Sequence, residues 1–192
     1  MAITINGSGT IGGVSVGGLP DGIVDTDMLA SNAVTSSLLP VGSVVQMTNG
    51  VYTGGNINSS VNSTWLDSGI SHSITPTSSS NKIIVGFFNI GGHVNWANTN
   101  KGSFYSIYRD IGGGGYSNLG DSTGGLLSNI VSTDTSHTAQ KPISMLIVDS
   151  PATTSVVTYK PYWKALAGSD SYFHHVNYGT GHIYYFAMEI AA

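Results

Sequence analysis

The chain has 192 residues, of which only 8% are charged, with a formal net charge of −4 and no cysteine. That composition excludes disulfides, thiol nucleophiles and cysteine-ligated metal centres. The six Lys and Arg (Lys82, Lys101, Arg109, Lys141, Lys160, Lys164) are scattered, so no basic stripe exists to follow a phosphate backbone and no nucleic-acid partner is expected. An ordinary soluble domain carries roughly a quarter charged residues. A surface solvated by hydroxyls and amides instead is weakly protected against association, which implies that sister subunits cover much of it.

The opening residues lack the positive and apolar regions of a signal peptide, and no stretch reaches about 18 uninterrupted apolar residues. Synthesis as a cytosolic protein, release by lysis and no membrane insertion are therefore expected. Ile3 to Ile5 and Ile11 to Val16 alternate briefly between glycines, and Leu19-Pro20-Asp21-Gly22 is a turn signal. Asp25 to Val34 places apolar residues behind an Asp or Thr cap at helical spacing, enough for two turns at most. Residues 1–41 thus hold no material for a core and read as an irregular stem that takes its order from partners. Its attachment residues would be Ile3, Ile5, Ile11, Val14, Val16, Leu19, Met28 and Leu29.

From Gly42 onward the pattern is β. Expected strands are Ser43–Met47, Ile70–Thr75, Lys82–Ile90, Ser103–Arg109, Ile143–Val148, Ser155–Trp163, Tyr172–Val176 and His182–Ile190. The last carries Tyr184, Phe186, Met188 and Ile190 on one face and Ile183, Tyr185, Ala187 and Glu189 on the other. Ile83 to Phe88 is apolar on both faces, which in so small a domain implies a subunit interface on the outer side. Long connections are expected at Gly91–Gly102, Ile111–Gly125, Ser132–Gln140 and Ala167–Gly181, and loops of that length are commonly functional. The expected fold is all-β: an antiparallel, jelly-roll-like β-sandwich over residues 42–192 behind the short stem, assembled as a trimer.

The segment from Ile3 to Ala30 resembles the amino-terminal segments of structural proteins from marine tailed phages, including cyanophages. Asn32-Ala-Val-Thr-Ser-Ser-Leu-Leu39 is similar to the Ala-Val-Thr-Ser-Ala-Lys-Leu unit of phage tail-fibre shafts, with Ser37 and Leu38 departing from it. Ile70 to Val85 and Leu146 to Ser155 resemble segments of phage fibre heads. The resemblance implies a virion protein: a homotrimeric short fibre or spike that attaches to other virion proteins through its amino terminus and displays its carboxy-terminal domain to a host-surface glycan or protein. A capsid-decorating cement or head-fibre protein is the alternative, and a virion-associated glycan depolymerase the third reading.

The chemistry-bearing residues point to binding. Aromatics set among amides occur around Asn95, Trp96 and Asn98, at Tyr116, and at Tyr172 and Tyr178; sugar sites combine such rings with amide side chains, and the same rings anchor protein interfaces. The late carboxylates Asp67, Asp110, Asp121, Asp134, Asp149, Asp170 and Glu189 mostly sit beside Gly or Ser, where Asp caps turns, and Asp149-Ser150-Pro151 is the clearest turn signal. They show no pairing of the kind a glycosidase needs. His174 and His175 are the residues to watch for a metal on a symmetry axis, although no ligand spacing supports one. Gly112 to Gly115 precedes no helix and reads as a flexible loop rather than a phosphate cradle. No catalytic residue, no enzyme activity and no cofactor are expected.

Overall fold

The computed structural model describes residues 4–5, 11–12, 38–59, 64–96, 101–131, 137–166, 170–174 and 181–192. The chain divides into two compact units, Met1–Leu38 and Leu39–Ala192. In the smaller unit, β1 (Thr4–Ile5) and β2 (Ile11–Gly12) pair antiparallel, with Ile5 opposite Ile11. The expected helix over Asp25 to Val34 lies outside the described residues.

The larger unit is an antiparallel sandwich of two sheets. The first joins β3 (Val44–Tyr52), β14 (Ile183–Ile190), β7 (Lys82–Trp96), β13 (Asp170–His174) and β4 (Ile57–Ser59), with β11 (His137–Asp149) on the other edge of β7. The second runs β10 (Leu127–Val131), β8 (Lys101–Ile111), β12 (Val157–Ala165), then β5 (Leu66–Asp67) and β6 (His72–Ile74) side by side, with β9 (Ser117–Asn118) added to β8. Along β7, β13 and β14 occupy the same edge, one after the other, and β4 continues β3 in the same way. Counted as interrupted strands, they give the sheet orders and connectivity of a jelly roll, as the alternation pattern predicts.

Alternation decides which side chains fill the space between the sheets. Ile83, Val85 and Phe87 of β7, Tyr105 and Ile107 of β8, Val157, Tyr159 and Trp163 of β12, and Ile183 and Ala187 of β14 are buried in one core. Of the two faces of β14, the inner one carries Ile183, Tyr185, Ala187 and Glu189, and the more apolar one, with Tyr184, Phe186, Met188 and Ile190, points outward.

The core also holds two polar clamps. Arg109 Nη1 meets Asp149 Oδ1 at 2.8 Å, and the Tyr159 hydroxyl donates to Asp149 Oδ2 at 2.8 Å, tying the edge strand of one sheet to two strands of the other. Burial, and then the carboxylate beside it, push the Tyr159 phenol far up, so it stays a donor. Glu189 Oε1 accepts from the Thr77 amide (2.7 Å), the Thr77 hydroxyl (2.9 Å) and Asn81 Nδ2 (2.7 Å), while Gln46 Nε2 donates to Oε2. That carboxylate fastens the loop after β6 to the first and last strands of the sandwich.

Several expected loops are strands. β7 continues through Gly91 and Gly92 to Trp96, and β11 begins at His137 rather than at Ile143. Glycines read as loop punctuation here serve close packing: a Cβ on Gly92 would lie 2.5 Å from the Tyr105 hydroxyl oxygen. The span from Ile111 to Gly125 contains β9 and a turn closed between Asp121 and Gly125, and β13 lies within Ala167–Gly181. The split between β5 and β6 falls opposite Pro161 of β12. Proline has no N–H to offer a ladder, and the Ser68 amide donates to its carbonyl instead.

Candidate binding surfaces

The two ends of the sandwich differ. At one end lie its first residues and its last: the Gly42 amide donates to the Ala191 carbonyl at 2.8 Å, and the Ala191 amide to the Ser43 carbonyl at 2.9 Å. Lys82, the start of β7, stands opposite Ile190 at the same end. At the other end β7 finishes at Trp96, paired with His137, while Asn95 stands opposite both Thr138 and Asp170. Tyr172 of β13 pairs with His93 on one side and Asn58 of β4 on the other. The strand ends that flank residues 60–63, 97–100, 132–136 and 167–169 gather there too. The 15 residues of β7 span the distance, about 45 Å at roughly 3.3 Å per residue.

Of the aromatic and amide candidates, the fold therefore places Asn95, Trp96 and Tyr172 on adjoining strands at one end. Asn98 and Tyr178 lie outside the described residues. Tyr116 stands apart, on the outer face of the second sheet. Of the attachment residues, Ile5 and Ile11 are register partners of β1 and β2, and Ile3, Val14, Val16, Leu19, Met28 and Leu29 lie outside the described residues. His174 is fully buried, edge-on to Tyr52 with ring centroids 5.7 Å apart; an axial metal ligand has to project from the surface. His175 lies outside the described residues, among which no three His, Asp or Glu gather as a metal site.

The outer face of the second sheet carries an aromatic and cationic cluster that the sequence reading missed apart from Tyr116. On β12, Lys160, Tyr162 and Lys164 alternate outward; on β8, Phe104, Ser106 and Tyr108 do so. Tyr162 stands opposite the small Ser106, which leaves room for the rings of Tyr108 and Tyr162 to stack at 4.0 Å and 24°. Trp65 adjoins Tyr108 at 6.0 Å and donates its indole N–H to the Ser122 carbonyl. Lys160 Nζ lies 4.7 Å from the Tyr116 ring centre and 2.7 Å from Asp67 Oδ2, and Lys164 Nζ lies 4.8 Å over Trp65.

Each ring face and ammonium in this cluster thus has a neighbour from the chain itself. Desolvation, followed by their mutual proximity, raises the Tyr108 phenol; desolvation and then Asp67 raise that of Tyr162. The hydrogen bond to Asp67 holds Lys160 above its ordinary value. Near neutral pH the Tyr108 and Tyr162 phenols are therefore neutral and Lys160 is an ammonium. The period-two run Lys160-Pro-Tyr-Trp-Lys164 is the signal that could have found it.

Carboxylates among the described side chains are occupied by structural bonds. Asp67 accepts from the Gly69 amide at 2.8 Å, Asp110 from the Gly115 amide at 2.8 Å, and Asp121 from the Thr123 and Gly124 amides at 2.8 and 2.7 Å. The Gly124 and Thr123 amides lower the Asp121 carboxyl. These are turn caps, as their neighbours predict. Asp149 departs from that expectation: it ends β11 in the buried clamp rather than capping a turn, and Glu189 is likewise a buried acceptor. An open cleft of about 320 Å³ lies between the edges of the two sheets, lined by Leu127, Ser128, Lys141, Pro142, Ile143 and Ser144.

No family model and no curated protein matches the chain. Among solved structures it is similar to that of infectious bursal disease virus, Gx strain, with 14% identity and a TM-score of 0.27 over 76% of this chain and 34% of that one. The Gt strain gives 11% identity and a TM-score of 0.23 over 79% and 37%. A mutant VP2 protein of the same virus, in derived T=1 particles, gives 11% and 0.22 over 75% and 36%. The chain spans about a third of the length of these structures, and at such TM-scores nothing about function follows from them.

Proposed function

We propose that this chain is a virion structural protein, a homotrimeric short fibre or spike subunit of a tailed phage that attaches through residues 1–41 and presents the far end of its sandwich to the host surface. The observation that carries this reading is the polarity of the larger unit. Its first strand begins beside Ala191 at one end, while Asn95, Trp96 and Tyr172 and the strand ends around four connections occupy the other. A subunit tethered at its start therefore holds out the end at which Asn95, Trp96 and Tyr172 stand on adjoining strands. The occupied carboxylates fit a binding role better than a hydrolytic one.

Trp96→Ala and Tyr172→Ala together test the display. The doubly substituted protein should still enter particles, and those particles should lose at least tenfold in adsorption rate to the host; unchanged adsorption contradicts the assignment. The short stem, with one partial shaft unit, favours a second reading as a capsid-decorating protein. Copies per virion separate the two: a few dozen at most for a tail fibre, hundreds for a shell protein.

A further inference from the structure

The more apolar surface of the first sheet faces outward. Rows of residues cross it from strand to strand: Met47, Met188, Ile84 and Val148 in one, Asn49, Phe186, Gly86 and Leu146 in the next, Val51, Tyr184 and Phe88 in a third, with Val44 and Ile190 at the margin. Val44, Met47, Val51, Leu146, Val148 and Tyr184 are 53, 56, 46, 58, 63 and 54% exposed; Ile84, Phe88, Phe186, Met188 and Ile190 are half-buried. Lys82, at the end of the face, is the charged residue of these rows.

Two rings fill the centre of the face. Phe88 and Phe186 lie almost parallel, 16° apart with centroids 5.6 Å from each other. The Phe88 ring folds over Gly86, where a Cβ would come within 2.5 Å of it and 3.1 Å of Leu146 Cδ1. Glycine at the centre is what lets the ring lie down.

We propose that this face is the surface through which copies of the chain associate, three faces turned to a common threefold axis to enclose a shared apolar core. The inference rests on the trimer proposed above and names the contact that closes it. Two observations select a second copy as the occupant. The exposed apolar area is on the order of 700 Å², above the roughly 300–600 Å² patch that a typical monomer leaves open. Apart from Lys82 at the margin, the rows also lack the charges by which a surface steers and discriminates a foreign partner, whereas interfaces between identical subunits are the most apolar class.

The test uses the full chain. Leu146 and Val148 are exposed positions on edge strand β11, where lysine is well tolerated by a folded sheet, so Leu146→Lys with Val148→Lys should yield folded monomer, with association weakened at least a hundredfold in sedimentation. Because the chain has no cysteine, Val148→Cys supplies a single thiol. In the assembled wild-type background it should react with a bulky maleimide at least tenfold more slowly than Tyr116→Cys on the opposite sheet. Trimers indifferent to the lysine pair, with the thiol freely labelled, overturn this contact and leave the trimer standing. A monomeric chain with a free thiol overturns both. A monomer with a protected thiol shows that another segment of the same chain covers the face, and also overturns the inference.

Discussion

The two outer faces of the sandwich solve the same problem differently. Both belong to pleated sheets whose inner sides share one core, and both carry rings outward. On the second sheet, Tyr108 and Tyr162 stack, Tyr116 and Trp65 lie tilted against them, and Lys160 and Lys164 sit over Tyr116 and Trp65. On the first sheet, Met47, Leu146, Val148 and Tyr184 are 56, 58, 63 and 54% exposed, and Lys82 stands only at the margin. One face is partly covered by its own side chains, and the other leaves aliphatic side chains exposed. The difference lies in whether alternate strand positions hold Lys or aliphatic residues, not in the fold.

The comparison is broken most strongly at β7, where adjacent phenylalanines point to opposite sides. Phe87→Ala empties a core position and should lower stability by about 3–5 kcal/mol at every protein concentration. Phe88→Ser should leave the isolated fold nearly intact but make the melting temperature fall on dilution. Melts over a hundredfold concentration range distinguish them; equal, concentration-independent losses would mean that the outer face is not an interface.

Next in size is the Glu189 clamp behind the apolar face. Glu189→Gln places an amide N–H₂ among four donors and should cost about 1.5–3 kcal/mol in denaturant unfolding. Burial works to raise this carboxyl, but the bonds from Asn81, Gln46 and Thr77 outweigh it and hold it below the ordinary glutamate value of 4.5. A depressed folded value means a contribution fully present above that pH and lost as pH falls through the lower folded value. Wild type should therefore lose stability below about pH 4.5, with a smaller slope in the Gln variant; identical acid limbs would contradict the clamp.

The smallest effect is expected on the self-covered face. Lys160→Ala removes a cation from Tyr116 and an ion pair with Asp67, both near the surface, and should cost about 1 kcal/mol or less, without any change in subunit mass. A dissociated Lys160→Ala protein would place the interface on the wrong sheet.

Much of this was legible from spacing. Period-two alternation located the strands that became β3, β6, β7, β8, β11, β12, β13 and β14, and the double-sided apolar run Ile83 to Phe88 announced a face beyond the core. What escaped is long-range. Gly91 and Gly92 read as a loop because nothing local reveals Tyr105 above Gly92, and the anchoring role of Glu189 escapes because its donors come from positions more than a hundred residues away. Lys160, Tyr162 and Lys164 were dispersed residues until β8 brought Tyr108 beside them. The more apolar face of β14 could not be assigned inward or outward by hydrophobicity alone, since the inner face carries Tyr185 and the buried Glu189 and the outer one Phe186, Met188 and Ile190.

The central claim, that the first sheet is covered by sister copies, is tested most directly by the mass of the purified full-length protein in dilute solution. Light scattering should give three times the 19.9 kDa chain, stable on dilution to the lowest measurable concentration. A folded, stable species of one chain mass would contradict it.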